Sequence, residues 1–392
     1  MEECRPVLNT GLRGVVIADT RICEVDGANG RLIYRGYMVQ DLAENASFEE
    51  VAFLLRYEKL PDNAELEEFK RRLLAERHLP PAVIEVLKNR PKDALPMDIL
   101  QASVPLLAHH DPDKRDQSME AVLRMAIRLI AKFATIIAAW DRIRNDKEPV
   151  EPSADLDHAA NFLYMLSGKI PDEEMGRFLD KALVLHAEHS FNASTFAARE
   201  VASTRAHIYA SIAAAVGSLS GDLHGGANTR VMEMLFKIGS VDKVKDYVNQ
   251  EFGAGRVIFG LGHAIYDTDD PRAHIVASMS KVLEERIGKS KWYEISANLE
   301  KTGKEEFKKL KGKDIYVNVD FYSGSLYNSL GIPVDLFTPV FAISRIAGWC
   351  AHVVEEQFAG AAPKPTLYRP ESEYIGDYCG PDVCEFTPID ER

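Results

Sequence analysis

Four short stretches of this 392-residue chain carry the residue types that move protons or hold anions. "LHAEHSFN" contains His186, Glu188, His189 and Asn192. Its two histidines are three apart and would share a helical face. They read as exposed or core histidines, as a substrate or anion contact, or as a metal site. The order is not H-E-x-x-H and no third ligand is adjacent. "SGDLHGGAN" places His224 among small residues, where it either fills a core or meets a ligand that Gly225 and Gly226 allow to approach. "VIFGLGHAIYDTDDPRA" contains Gly260-Leu261-Gly262, but a dinucleotide fingerprint needs a third glycine at Ile265. That stretch leaves His263 in a glycine loop and Arg272 after an Asp-Pro turn. The arginine could clamp a carboxylate or pair locally with Asp269 or Asp270. In "YVNVDFYSG", Asp320 sits among Val317, Val319 and Phe321. A carboxylate with apolar neighbours tends to a raised pKa and makes a usable general base, although a turn aspartate ahead of Gly324 reads the same way.

Composition narrows the classes these residues could serve. The net charge of −13 disfavours general nucleic-acid binding, so an anionic ligand needs a local arginine cluster. The N-terminus "MEECRPVLNTG" lacks the apolar core of a secretory signal. No apolar run approaches the roughly 20 residues of a membrane span. The longest, Ala121 to Trp140, is crossed by Arg124, Arg128 and Lys132 at four-residue spacing, which predicts a buried helix with one polar stripe. Cys4, Cys23, Cys350, Cys379 and Cys384 are few, scattered and odd in number, as expected of reduced thiols in a cytoplasm.

The positioning elements read as mainly α. Gly11 to Tyr37 predicts short strands joined at "DGANG". "SFEEVAFLLRYEKLP" predicts a helix capped by Ser47 and ended before Pro61. Further helices are expected at "NAELEEFKRRLLAER", at "PPAVIEVLKNR", and from Glu173 to Val201 with a break near "HSFNAST". Ala206 to Leu219 is rich in Ala and Ser and suits close helix packing. A composition shift then gives a large helical domain with a smaller helical domain inserted in it. Residues 1–220 form the first part of the large domain, 221–325 the small domain, and 326–392 the second part with the C-terminal tail.

Alone, none of the four stretches decides a function; their order does. With "GLRGVVIADTRI", "LIYRGY", "FEEVAFLL", "GIPVDLFTPVFAISRIAGW" and "YRPESEYIG", the chain resembles the citrate synthase family from about Gly11 to Gly376. The resemblance implies an acyltransferase that condenses oxaloacetate with acetyl-CoA and hydrolyses the citryl thioester, with no metal and no permanently bound cofactor. It implies Asp320 as the base for the acetyl methyl, His224 as hydrogen-bond donor to the thioester oxygen, and His263 as the acid on the oxaloacetate carbonyl. His189, Arg272 and Arg345 match the oxaloacetate ligands. Arg369 matches an arginine supplied to the partner's site, so a homodimer is implied. Leu261, Gly262 and Asn318 match positions beside CoA. Among Arg256, Lys309, Lys311 and Lys313, Lys311 is the choice for a CoA phosphate. Partners are thus oxaloacetate and acetyl-CoA, with no nucleic acid and no membrane.

Two positions depart from the family pattern: Asp222 where proline is common, and Ala264 where many members have arginine. The tail after Gly376 has no counterpart. The rival readings are a 2-methylcitrate synthase using propionyl-CoA, cleavage of citrate or citryl-CoA, and a catalytically inactive sensor of CoA or carboxylates.

Overall fold

The computed structural model describes residues 10–12, 14–263, 265–288, 291–376 and 387–391. Cys4, Ala264, Cys379 and Cys384 lie outside these described residues. Near the N-terminus, β1 (Cys23–Asp26), β2 (Arg31–Tyr34) and β3 (Tyr37–Met38) form an antiparallel meander in that order. The "DGANG" turn does more than reverse the chain. A Cβ on Gly27 would stand 2.2 Å from the Ile265 carbonyl oxygen, so glycine lets the turn dock on the 265–268 loop. The Asp267 amide donates to the Gly27 carbonyl across this contact at 3.0 Å.

The first run of helices is α1 (Val39–Asn45), α2 (Phe48–Tyr57), α3 (Asn63–Ala75), α4 (Pro81–Lys88), α5 (Pro96–His109), α6 (Met119–Arg144) and α7 (His158–Ser167). Ser47 and Glu50 form a reciprocal capping box at α2, a motif worth about 1 kcal/mol. The polar stripe of α6 is satisfied as its spacing requires. Arg124 pairs with Asp113, Arg128 with Asp111 and Asp113, and Lys132 with Glu76.

α8 (Glu173–His186), α9 (Ala193–Ser203) and α10 (Ile208–Leu219) follow, and α16 (Phe337–Gln357) packs against α2, α6, α8, α9 and α10. Between them in sequence lie α11 (Ala227–Ile238), α12 (Val244–Gly253), α13 (Ala273–Ile287), α14 (Trp292–Lys311) and α15 (Asp320–Ser329). These five pack chiefly on one another and meet the rest mainly through α11 on α16 and α13 on α8.

The segment Val334–Gln357 is long and apolar enough to cross a membrane, contrary to the expectation that no run is. Its most apolar window is 94% buried inside the fold, so burial in a protein core accounts for its composition. Cys23 and Cys350 are both buried and free.

Candidate active site

His189, His224, His263, Arg272, Asp320 and Arg345 all line one cavity of about 240 Å³, together with Gly262 and Asn318. They come from four loops and two helices, separated by up to 156 residues of chain. His189 lies on the loop between α8 and α9. Helix α8 ends at His186, so His186 and His189 do not share a helical face as their spacing suggested. His186 is instead fully buried, and its Nδ1–H donates to the Ala182 carbonyl at 2.8 Å. That settles it as a core histidine, outside the cavity. Tyr34 from β2 pins the same loop: its hydroxyl donates to Glu188 O at 2.9 Å and accepts from Glu188 N at 3.3 Å. Asn192 caps α9 and closes the loop, accepting from Thr195 N at 3.0 Å.

The loop bearing His263 and the chain leading into Asp320 are joined backbone to backbone. Gly262 N donates to Tyr316 O at 2.7 Å, Asn318 N to Gly260 O at 3.0 Å, and Asp270 N to Val317 O at 2.9 Å. Gly260 has φ +82°, and a Cβ there would strike the Phe321 ring at 2.7 Å, so glycine is required at this crossing. Asp320 is the first residue of α15, and burial pushes its carboxyl up to about 6.

Hydrogen bonds fix the tautomers of the two loop histidines. His224 Nε2 lies 3.2 Å from the Ser194 amide, which can only donate, so Nε2 accepts and Nδ1 carries the proton. Burial, then the charge of Arg345, holds His224 down at about 4, so its ring is neutral at pH 7. In His263, Nδ1 accepts from the amides of Ile265 at 3.0 Å and Tyr266 at 2.9 Å, so the proton sits on Nε2. That Nε2 lies 3.4 Å from Asp270 Oδ2.

The acidic protein concentrates positive charge here. Arg345 is 1% exposed; its Nε donates to His186 O at 2.8 Å, and its guanidinium lies 4.6 Å from the centre of the Phe341 ring. Arg272 carries the local pairing foreseen as its plain alternative: Nε and Nη2 donate to the two oxygens of Asp270 at 2.9 and 2.7 Å. Burial depresses the guanidinium, but Asp270 more than offsets that and leaves it above its ordinary range. Asp270 is itself 0% exposed, and Arg272 with His263 holds its carboxyl well below the usual range despite burial. Asp270 therefore orients the arginine, whose Nη1 lies 3.4 Å from the Leu185 carbonyl oxygen. Burial also keeps His189 well below its ordinary value; its Nε2 lies 3.2 Å from the Tyr266 hydroxyl.

Other expected residues fall elsewhere. Leu261 is buried, with its side chain in the space that Gly303 leaves, so only its backbone is near the loop surface. Lys311 is exposed at the end of α14, outside the cavity. Arg256 pairs with Glu251 and Lys309 with Glu306, whereas Lys311 and Lys313 make no ion pair among the described residues. Arg369 is exposed, outside the cavity and unpaired among the described residues. Asp222 is turned to solvent and pairs with Arg230 at 2.9 Å, so it does not approach His224.

Gly225 corrects an expectation. A Cβ there would stand 2.3 Å from the Leu219 carbonyl oxygen, so the missing side chain makes room for the protein itself. Ser194, Phe341 and Asp270 had no assigned role in sequence; of these only Asp270 carried a signal, as a neighbour of Arg272.

Asp269, His274 and Glu300 gather as a potential metal cluster, but Lys304 reaches both carboxylates, at 2.7 and 2.6 Å. An ammonium already fills the role a cation would take there.

The family described as "Citrate synthase, C-terminal domain" matches residues 11–371. A citrate synthase of Synechocystis sp. is 43% identical over 386 residues, covering 98% of this chain and 94% of that protein. A 2-methylcitrate synthase of Shewanella oneidensis is 37% identical over 377 residues, covering 96% and 97%. The citrate synthase of Thermoplasma acidophilum, solved with carboxymethyl coenzyme A and oxaloacetate, superposes with a TM-score of 0.90 at 30% identity, covering 98% of this chain and all of that one. From the cavity, the fold and these relatives together, the chain belongs to the citrate synthase family.

Proposed function

We propose that the protein condenses oxaloacetate with acetyl-CoA and hydrolyses the citryl thioester to citrate and CoA. The observation that carries this reading is the convergence of Asp320, His224, His263, Arg272 and Arg345 on one cavity.

The acetyl methyl is a very weak acid, so its deprotonation needs a base and a donor that stabilises the forming enolate. Asp320, raised toward neutrality by burial, takes the proton. His224 Nδ1–H donates to the thioester oxygen; its opposite nitrogen is anchored by Ser194, which fixes the direction of donation. The enolate carbon then forms a bond to the keto carbon of oxaloacetate. The electron pair moves to the keto oxygen, which takes the proton from His263 Nε2. Asp270 Oδ2, at 3.4 Å, orients that Nε2–H, and the proton gained by Asp320 restores it at the end of the cycle. Water cleaves the thioester and CoA leaves as the thiol. Arg272, Arg345 and His189 hold the two oxaloacetate carboxylates. Gly262 and Asn318 flank the acyl end of CoA, with Leu261 contributing backbone, and Lys311 faces a CoA phosphate.

We divide the chain into a large domain (1–220 and 326–392) and a small one (221–325). His189 and Arg345 then stand on one and the remaining ligands on the other, so a dianion touching both favours closure. The working unit is a homodimer in which Arg369 serves the partner's site. The exposed arm carrying Arg369 supports this, with Leu367 57%, Tyr374 74% and Ile375 92% exposed. The free, buried Cys23 and Cys350 suit a reducing compartment, and we assign the protein to the cytoplasm.

The second reading is a 2-methylcitrate synthase, motivated by the Shewanella relative. One methylene distinguishes the substrates, worth about 1–3 kcal/mol in a pocket. Thiol release from acetyl-CoA and propionyl-CoA, each with oxaloacetate, separates the two. A higher kcat/KM for acetyl-CoA is expected. A propionyl preference transfers the assignment to the second reading, and release from neither ester refutes both.

A further inference from the structure

A second cavity, of about 290 Å³, lies between the end of α2, the first half of α6 and the second half of α16. It shares no lining residue with the active-site cavity. Its walls are largely apolar, with Leu55, Leu123, Ile130, Ala351, Val354 and Phe358 prominent. Four charged side chains also reach it, and three are already matched. Arg35 pairs with Glu58 at 3.2 Å and donates to Leu55 O. Glu355 accepts from Arg199 at 2.7 Å and from the Arg21 amide at 2.8 Å.

Arg56 is the exception. Its Nε and Nη1 are buried without an acceptor, and its guanidinium carbon lies 4.8 Å above the centre of the Tyr57 ring. No ion pair engages it among the described residues, and burial pushes its guanidinium down to about 10. The neighbouring Arg72 is like-charged and adds to that. Burying charged nitrogens without a counter-charge is costly, and ionisable groups perturbed in a cleft are candidates for binding sites.

We propose that this cavity binds a small organic anion with one carboxylate and an apolar body, the carboxylate seated on Arg56. A single negative charge matches the one guanidinium at this cavity that has a Tyr57 hydrogen bond but no ion pair among the described residues. A dianion would bring its second charge against Glu58 and Glu355, which also face the cavity. The volume is at the low end for ligand sites, which suits a molecule of about ten non-hydrogen atoms.

Calorimetric titration of the full-length protein in its native assembly with sodium octanoate, at saturating oxaloacetate and CoA, tests this. One site per chain is expected, with 1-octanol at least about 10-fold weaker because it lacks the charge. Arg56→Gln should weaken octanoate about 10- to 100-fold. Ala351→Leu, which keeps Arg56 but fills the apolar end, should also weaken it. Both variants should retain thiol release, which verifies their folding. No binding of octanoate, equal binding of octanol, or unchanged affinity in folded Arg56→Gln overturns the proposal. Binding seen only when CoA is omitted overturns it as well, by assigning octanoate to the acyl-CoA site.

Discussion

Replacing Asp320 with Asn should make the protein more stable, and by an amount that depends on pH. The Asp320 carboxyl is pushed from its ordinary 3.8 up to about 6, chiefly by burial, so the fold opposes its ionised form. For an acid raised in the folded state, the cost is complete above the folded pKa and absent below the unfolded one. At pH 7.5 both states are ionised, and the difference in pKa corresponds to ~3 kcal/mol of lost stability. At pH 5 the folded carboxyl is mostly protonated and about half of that cost remains. Asn carries no charge and avoids the cost. Thermal unfolding of wild type and Asp320→Asn, without ligands, reads this out. With each kcal/mol moving the Tm of so large a chain by about 1–2 °C, the variant should melt ~3–6 °C higher at pH 7.5. The gap should shrink by roughly half at pH 5. A variant that melts below wild type at pH 7.5, or a gap indifferent to pH, would refute the claim that burial of a charged base is what tunes this site.

The same carboxyl governs the rate. kcat/KM for acetyl-CoA should fall on the acid side of about pH 6 and reach roughly a tenth of its plateau at pH 5; a flat profile between pH 5 and 8 contradicts Asp320 as the base. Asp270→Asn should lower kcat/KM for oxaloacetate by about 100-fold or more, because Arg272 loses its orienting carboxylate and His263 Nε2–H its neighbouring oxygen, as steady-state kinetics would register. Mixed dimers of Arg369→Gln with Asp320→Asn chains should regain activity, since one of their two sites would combine intact Asp320 and Arg369. An inactive mixture places Arg369 in its own chain's site, and full activity of Arg369→Gln alone places it in none.

Much of the fold was legible because its signals are local. Ser47 and Glu50 announce a helix start within four residues, and the Arg124, Arg128 and Lys132 stripe announces the polar edge of α6. The catalytic trio was legible only through the order of its motifs. What sequence left out depends on contacts between distant segments. α8 stops at His186, and the Tyr34 hydroxyl, 154 residues away in sequence, holds the Glu188 carbonyl just beyond it. Gly225 looked like clearance for a ligand, yet the atom it clears is the Leu219 carbonyl. Arg272 was open between substrate clamp and local ion pair, and the structure places the ion pair beneath the cavity, where it aims the arginine. The α16 segment is apolar enough to span a membrane, and only its burial among seven other helices assigns it to the core.

The most direct test of the central claim is thiol release from acetyl-CoA with oxaloacetate by wild type and Asp320→Asn, with oxaloacetate affinity measured on both by calorimetry. Wild type should turn over, and the variant should lose a factor of about 10²–10⁴ while its oxaloacetate Kd stays within about threefold. Undiminished turnover in a variant that still binds oxaloacetate would remove Asp320 as the base and, with it, the mechanism built on this cavity.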